Sequence, residues 1–275
     1  MIHIITNHHK TFKWLNIQAK YLKENTANEY RVYCGTSDMP TDINLDDLSL
    51  EESVLDKYII DTMDKVENKH AYKMNYLASL INLSQEDEND LLVFLDPDAL
   101  PLRSGWDNFI IDALKEYSAA AISREENIEP LLMDHQKPYP HPCFFATTLG
   151  FWKKNNLSWD LDASQGAHCA GVLLKQWLDK KGHKWAKLLR TNCFNLHPLN
   201  FGIYGGLIYH HGSGNRPIYD SIDVWSRPEL SRKYGVSLDL HWPGLLEFNQ
   251  RISDLVFQEI ENNSRFINMY FSGTE

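Results

Sequence analysis

A chain of 275 residues, 43% hydrophobic and 23% charged, has the makeup of a folded protein of one large domain or two small ones and not of a disordered segment. Its net charge of −10 argues against a nucleic-acid partner, which needs a cationic surface, and obliges any anionic ligand to find local compensation in a metal or in placed Lys and Arg. No window nears the ~18 apolar residues of a membrane span, and four scattered cysteines without a CxxC pair suit a reducing compartment. The expectation is a cytoplasmic protein with no membrane span and at most peripheral membrane contact.

Taken in chain order, "IHIIT" (2–6) reads as a buried strand, and "FKWLNIQAKYLKEN" (12–25) as a helix with an apolar stripe of Phe12, Leu15, Ile17, Tyr21 and Leu22. "YRVYCG" (30–35) returns as a strand. The acidic stretches 41–53 and 84–90 read as solvated loops. "KYIID" (57–61) fits a short strand or a short helix. The segment 68–83 has helical period, "LLVFL" (91–95) is a strand buried on both faces, 106–117 is a helix and "SAAAIS" (118–123) a strand. Alternation of this kind predicts a largely parallel sheet covered by helices on both faces.

The second half is mixed. "HPCFFATT" (141–148) reads as a strand and 170–182 as a helix closing at Gly182. "FGIYGGLIYHHG" (201–212) reads as a glycine-interrupted strand ending on two histidines, and 244–271 is helical by period. With no repeat or low-complexity linker between the halves, the chain reads as one domain, 1–275. Residues 1–125 form a nucleotide-type half, 126–220 a half carrying acceptor and metal groups, and 221–275 a C-terminal helical extension.

The chemistry concentrates where the most hydrophobic strand ends, in "LLVFLDPDALPL" (91–102). In open α/β sheets ligands bind beyond the carboxyl ends of the strands, and Asp96 and Asp98 stand at that edge. Two carboxylates at i and i+2 can approach one hard divalent cation, Mn²⁺ or Mg²⁺, while Pro97 stiffens the turn between them. The bland alternative is a polar Asp-Pro turn; the buried strand before it favours the metal.

This segment resembles the DxD element of GT-A glycosyltransferases, and the likeness extends over roughly residues 1–220. It implies a Rossmann-like, mostly parallel sheet flanked by helices, in which the carboxylates hold a metal on a nucleotide-diphosphate sugar. Downstream, "IYHHGSGNRP" (208–217) is similar to the HxxGxxKP element of glycogenin-like enzymes, with His210 in the histidine place, Arg216 in the lysine place and Pro217 in the proline place. Ser213 stands where that element has glycine. The resemblance implies that His210 is a further metal ligand and that Arg216 meets the phosphates.

On chemical grounds alone, a neutral imidazole completes a site begun by carboxylates, and an Arg fork matches phosphate oxygens. Strand alternation lets only one of His210 and His211 face inward, and His210 is the choice. An inverting enzyme also needs a general base for the attacking hydroxyl, sought in "LSWDLDASQGAHCAG" (157–171) at Asp160, Asp162 or His168, where loop and helix-capping roles compete for the aspartates. The Glu-Asp pair often found before such a helix in inverting relatives is missing here.

Thr6 and Asn7 follow the first strand, where the resemblance places nucleobase and ribose. His70, Lys73 and Asn75, on the helix before the DxD strand, are candidates for phosphate or sugar contact. Trp152, Trp159, Trp177 and Trp185 are stacking candidates for which core packing is the commoner fate, and His141 reads as structural.

These readings converge on a metal-dependent glycosyltransferase. It would move a sugar from a nucleotide-sugar, a UDP-sugar first, to a hydroxyl on a glycan or lipid-linked acceptor, and family analogy suggests bacterial surface polysaccharide assembly. The alternatives are a non-catalytic nucleotide-sugar- or glycan-binding module and a nucleotidyltransferase. A haloacid-dehalogenase-type phosphotransferase fits less well, because its aspartates follow the first strand of the fold.

Overall fold

Ile2–His9 forms β1, at the centre of the molecule, with every residue from Ile2 to His8 buried. The structure, a computed structural model, describes residues 1–9, 13–37, 56–62, 70–82, 86–124, 138–160, 170–192, 201–212 and 245–262. β1 pairs in parallel with β2 (Tyr30–Ser37) on one side and β4 (Leu91–Leu95) on the other; β2 pairs in parallel with β3 (Tyr58–Thr62). Beyond β4 come β7 (Tyr139–Thr148), antiparallel, then β6 (Ala119–Arg124), and at the edge β8 (Trp185–Leu188), parallel to β6. The order β3-β2-β1-β4-β7-β6-β8 makes a seven-stranded, mostly parallel sheet, as the alternating pattern predicts.

Helices cover both faces. On one lie α1 (Leu15–Asn25) and α3 (Trp106–Ala113), whose Leu15, Leu22, Trp106 and Ile110 pack on Ile4, Val32, Val93 and Phe144. On the other lie α2 (His70–Ser79), α4 (Leu149–Lys154) and α5 (Val172–Lys181). In α2 the spacing of Ala71, Met74, Leu77 and Ala78 sets the face that meets Ile5 and Phe94. Leu91–Leu95 is buried throughout because α-helical layers cover both of its faces. Each large apolar side chain sealed in this way contributes about 1.5–3 kcal/mol.

A second sheet of three short strands, β5 (Ala99–Pro101), β10 (Ile208–His210) and β9 (Gly202–Tyr204), stands at the carboxyl end of β4. The glycine-interrupted stretch is therefore a hairpin and not one strand. Gly205 and Gly206 turn it at φ 61° and 64°, a left-handed conformation that a side chain would strain. This hairpin, with Trp14 at the N-cap of α1 and Ile17 and Tyr21 within it, packs on helix α6 (Leu245–Asn262) through Val256 and Ile260.

The structure extends several expectations. β1 runs on to His9 because β2 continues beside it, Asn7 against Gly35 and His9 against Ser37. The ambiguous "KYIID" is the edge strand β3. Residues 263–271 of the expected final helix lie outside the described residues. Among the described residues no helix is long and apolar enough to cross a membrane.

Candidate metal centre

β4 delivers Asp96 to the sheet edge, and Asp96–Pro97–Asp98 turns the chain into β5. The turn is closed by the Ala99 N–H donating to Asp96 O at 3.0 Å, and it is tied to the main sheet by the Asp96 N–H donating to Cys143 O at 3.0 Å. Antiparallel pairing of β10 with β5 sets His210 opposite Ala99, and the His211 N–H donates to Asp98 O at 3.0 Å. Two segments more than a hundred residues apart in sequence are thereby locked in one register.

The outcome is a group of three metal-ligand types. Ligand atoms of Asp96, Asp98 and His210 all lie within 4.8 Å of one another. His210 Nε2 is 3.5 Å from Asp98 Oδ1 and 3.8 Å from Asp96 Oδ2. His210 and Asp98 are buried, and Asp96 Oδ1 is buried without a hydrogen-bond partner. Two carboxylate oxygens and one imidazole nitrogen suit Mn²⁺, and Mg²⁺ through the oxygens. Two carboxylates whose oxygens lie within 4.8 Å of each other repel, and a cation between them would relieve that cost. The residues fit a divalent ion.

Strand alternation turns the two histidines to opposite faces, and packing decides between them. Tyr209 and His211 turn toward α1 and α6. His211 Nδ1 contacts Tyr209 OH at 2.9 Å and Nε2 contacts Ser253 Oγ at 2.8 Å, with Trp14 and Phe201 packed on the ring. Burial lowers its pKa to about 3, so it is a neutral structural imidazole. His210 points the other way, into the carboxylates. Burial pulls its pKa down, but the Cys143 sulfur and Asp98 beside it win, and the net direction is upward.

His70 begins α2, and its Nε2 comes 3.0 Å from Asp96 Oδ1, close enough for an ion pair. Burial opposes its charged form and Asp96 favours it, with a net upward shift; its 39% exposed side chain leaves that attraction partly screened. Lys73 is buried one turn along and close enough to His70 to oppose its protonation. Asn75 lies farther down α2, and its side chain is committed: Oδ1 accepts from the Trp159 N–H at 2.8 Å and Nδ2 donates to Asp160 Oδ1 at 3.2 Å. Asp160 also accepts from Ser158 Oγ at 2.5 Å. Its recorded contacts are thus with Asn75 and Ser158, not with the three-residue group. Asp162, His168 and Arg216 lie outside the described residues.

Continuing the parallel register of β1 on β4, in which Ile5 faces Phe94, sets Thr6 and Asn7 alongside Leu95 and Asp96. Thr6 Oγ1 and Asn7 Oδ1 are buried without hydrogen-bond partners. So are both ring nitrogens of His8, whose pKa burial lowers to about 4 against the opposing pull of Gln18 and Asp98. Polar atoms in this state at a sheet edge are the mark of a ligand surface or of bound water.

One contributor escapes a motif search. Gln18 of α1 is fully buried, and its Nε2 donates to Asp96 O at 2.8 Å, Ala99 O at 3.1 Å and, more weakly, Pro97 O at 3.3 Å, so it clamps the acidic turn. The signal was its position, three residues after Leu15 and four before Leu22, on the apolar stripe. His141, read as structural, accepts from the Cys143 N–H at 3.1 Å and has its ring centre 6.2 Å from that of His210.

Trp152 and Trp159 pack on Phe94 and Phe145 in the core, and Trp177 stacks on His183. A second acid–histidine group, His3, Glu86 and Asp90, lies at the opposite sheet edge. Its carboxylates already meet cations, the Met1 ammonium at 2.6 Å from Asp90 and Arg31 at 3.4 Å from Glu86.

No protein-family model matches the chain, and no curated protein does. Among solved structures, it is similar to the galactosyltransferase LgtC in complex with donor and acceptor sugar analogs, with 12% identity, 88% of this chain and 99% of that one covered, and a TM-score of 0.46. It is also similar to the mannosyltransferase PcManGT from Pyrobaculum calidifontis in complex with GDP-Man and Mn²⁺, with 11% identity, 68% and 54% covered, and a TM-score of 0.46. A third similar structure is the 4-diphosphocytidyl-2C-methyl-D-erythritol synthase from Anaerococcus prevotii, with 10% identity, 69% and 86% covered, and a TM-score of 0.42. Likenesses of this depth carry no argument for a substrate or an activity.

Proposed function

We propose that the protein is a metal-dependent glycosyltransferase, moving a sugar from a nucleotide-diphosphate sugar to a hydroxyl of a glycan or lipid-linked acceptor. The observation that carries this reading is the convergence of Asp96, Asp98 and His210 at the carboxyl edge of the parallel strands, with their ligand atoms within 4.8 Å of one another. These three residues would hold Mn²⁺ or Mg²⁺, and the ion's chemistry there is to neutralise a diphosphate leaving group.

The chain's own groups divide the remaining work. Thr6 and Asn7 offer neutral hydrogen-bonding atoms to a nucleoside, UDP being the first candidate. His70 and Lys73, at the start of α2, add positive charge beside the phosphates, and Arg216 adds a fork suited to phosphate oxygens. Asp160 or Asp162 takes the proton of the attacking hydroxyl; Asp160 is held in place for this by Asn75 and Ser158.

Release of nucleoside diphosphate from a panel of nucleotide-sugars, with and without Mn²⁺, tests the reading. Metal-stimulated release that disappears in Asp98→Ala is the expected result. Release from no donor under either condition would favour a binding module, and release that ignores both metal and Asp98 would remove the site.

A further inference from the structure

Four neighbouring strands bring one residue each to a single row near the carboxyl edge of the sheet. The register of β1 on β2 sets Asn7 beside Gly35, and that of β2 on β3 sets Gly35 beside Asp61. The register of β1 on β4, carried two residues past Ile5 and Phe94, sets Asn7 beside Asp96. Asp96, Asn7, Gly35 and Asp61 therefore follow one another across β4, β1, β2 and β3.

The row lies on the face covered by α2. Residues two apart on a strand share a face, and Phe94, Ile5 and Tyr33, two before Asp96, Asn7 and Gly35, all pack in the core beneath α2. Contacts with α2 agree at both ends: His70 Nε2 lies 3.0 Å from Asp96 Oδ1, and the Tyr76 hydroxyl donates to Asp61 Oδ2 at 3.1 Å. Between those ends, Asn7 is 3% exposed and its Oδ1 has no hydrogen-bond partner. Gly35 brings no side chain to the row, and a glycine inside a strand marks a close approach by a ligand or another backbone. Asp61 is half-buried. Tyr76 restrains one of its carboxylate oxygens, and the other accepts no hydrogen bond among the described residues.

Neighbouring strands lie about 4.8 Å apart, so Asp61 stands about 14 Å from Asp96 along the row. Less the reach of the two side chains, that span suits an extended nucleoside diphosphate, with its phosphates at the metal, its ribose over Asn7 and Gly35, and its base at β3. An ionised carboxylate only accepts hydrogen bonds. We propose that Asp61 is a specificity-determining residue that accepts a hydrogen bond from the ring N–H of a uracil base, so that the site takes uridine and not cytidine diphosphates. The proposal rests on the glycosyltransferase reading of the metal centre. Uracil and cytosine share an outline, but cytosine carries a lone pair at the ring nitrogen where uracil carries a proton. A carboxylate repels that lone pair, and repulsion of the wrong partner is how such a site discriminates. The competing role for Asp61 is a staple, through Tyr76, between β3 and α2.

Calorimetry at saturating Mn²⁺ measures the binding of UDP, CDP and inorganic pyrophosphate to the wild-type protein and to Asp61→Asn. The wild type is expected to bind UDP at least about tenfold more tightly than CDP, the worth of one hydrogen bond to a charged group. In Asp61→Asn the amide can offer an N–H to the cytosine ring nitrogen. That variant is expected to bind UDP about ten- to a hundredfold more weakly, CDP no more weakly, and pyrophosphate within about twofold of wild type. An unchanged UDP-to-CDP ratio in Asp61→Asn overturns the proposal and leaves the residue as a staple. Pyrophosphate weakened in step with UDP overturns it too, since the carboxylate would then act at the phosphates or through the fold. Equal wild-type affinity for UDP and CDP overturns it without any variant, while pyrophosphate binding with Mn²⁺ keeps the metal centre's reading intact. Failure of the wild type to bind UDP or pyrophosphate with Mn²⁺ removes that reading along with this one.

Discussion

Gln18→Met removes the amide that clamps the acidic turn while nearly conserving side-chain volume, so the cavity penalty of a truncation is avoided. The wild-type Nε2 serves Asp96 O at 2.8 Å and Ala99 O at 3.1 Å, with Pro97 O at 3.3 Å sharing a proton. The Ala99 carbonyl bond is buried and the Asp96 one partly so. Leaving the buried Ala99 carbonyl without this donor costs about 1–3 kcal/mol, and Asp96 O, which keeps the Ala99 N–H at 3.0 Å, costs less. Gln18 Oε1 is itself buried without a partner, and losing it recovers about 1 kcal/mol. The net expectation is a destabilisation of about 2 kcal/mol in metal-free urea unfolding. Because the same bonds orient Asp96 and Asp98, Mn²⁺ affinity should fall about 10–100-fold, the usual cost of removing a group that orients metal ligands. A variant within about 0.5 kcal/mol of wild type and within twofold in Mn²⁺ affinity would refute the clamp.

Gly171 precedes α5 at φ +100°, where an added Cβ would lie 2.0 Å from Pro140 O; Gly171→Ala should cost more than about 3 kcal/mol in urea unfolding, combining strain with a backbone clash. His211→Phe discards the contacts to Tyr209 and Ser253 that join β10 to α6, and about 2 kcal/mol of stability should go with them. His8 supplies a pH test in metal-free protein. Its folded pKa of about 4 lies below the ordinary 6.5, so its contribution is complete above pH 6.5 and is lost as pH falls toward 4. Between those values protons prefer the unfolded chain, at about 1.4 kcal/mol per pH unit. Unfolding curves of His8→Asn should therefore show a shallower acid decline than wild type, by about 3 kcal/mol over that span. Parallel declines would show that His8 does not titrate differently on folding.

The sheet was readable because its strands are apolar runs of the right length separated by amphipathic helices, and Leu91–Leu95 ending on Asp96 marked the carboxyl edge. The end of β1 was not readable, since Asn7, His8 and His9 resemble a loop, and only the pairing with β2 makes them strand. β5 and β8, three and four residues long, carry too little pattern to register. The sequence raised the choice between His210 and His211 without deciding it, because alternation says they diverge and not which face is the core. Packing of His211 between Trp14 and Phe201 decides it.

The central claim is that Asp96, Asp98 and His210 form a divalent-metal site whose ligand is a nucleoside diphosphate. UDP titrated calorimetrically into the wild-type protein, in saturating Mn²⁺ and again in EDTA, tests it most directly. Saturable binding in Mn²⁺ that is lost in EDTA, and lost in Asp98→Ala even with Mn²⁺ present, is the predicted result. Equal affinity with metal and with chelator would contradict the account.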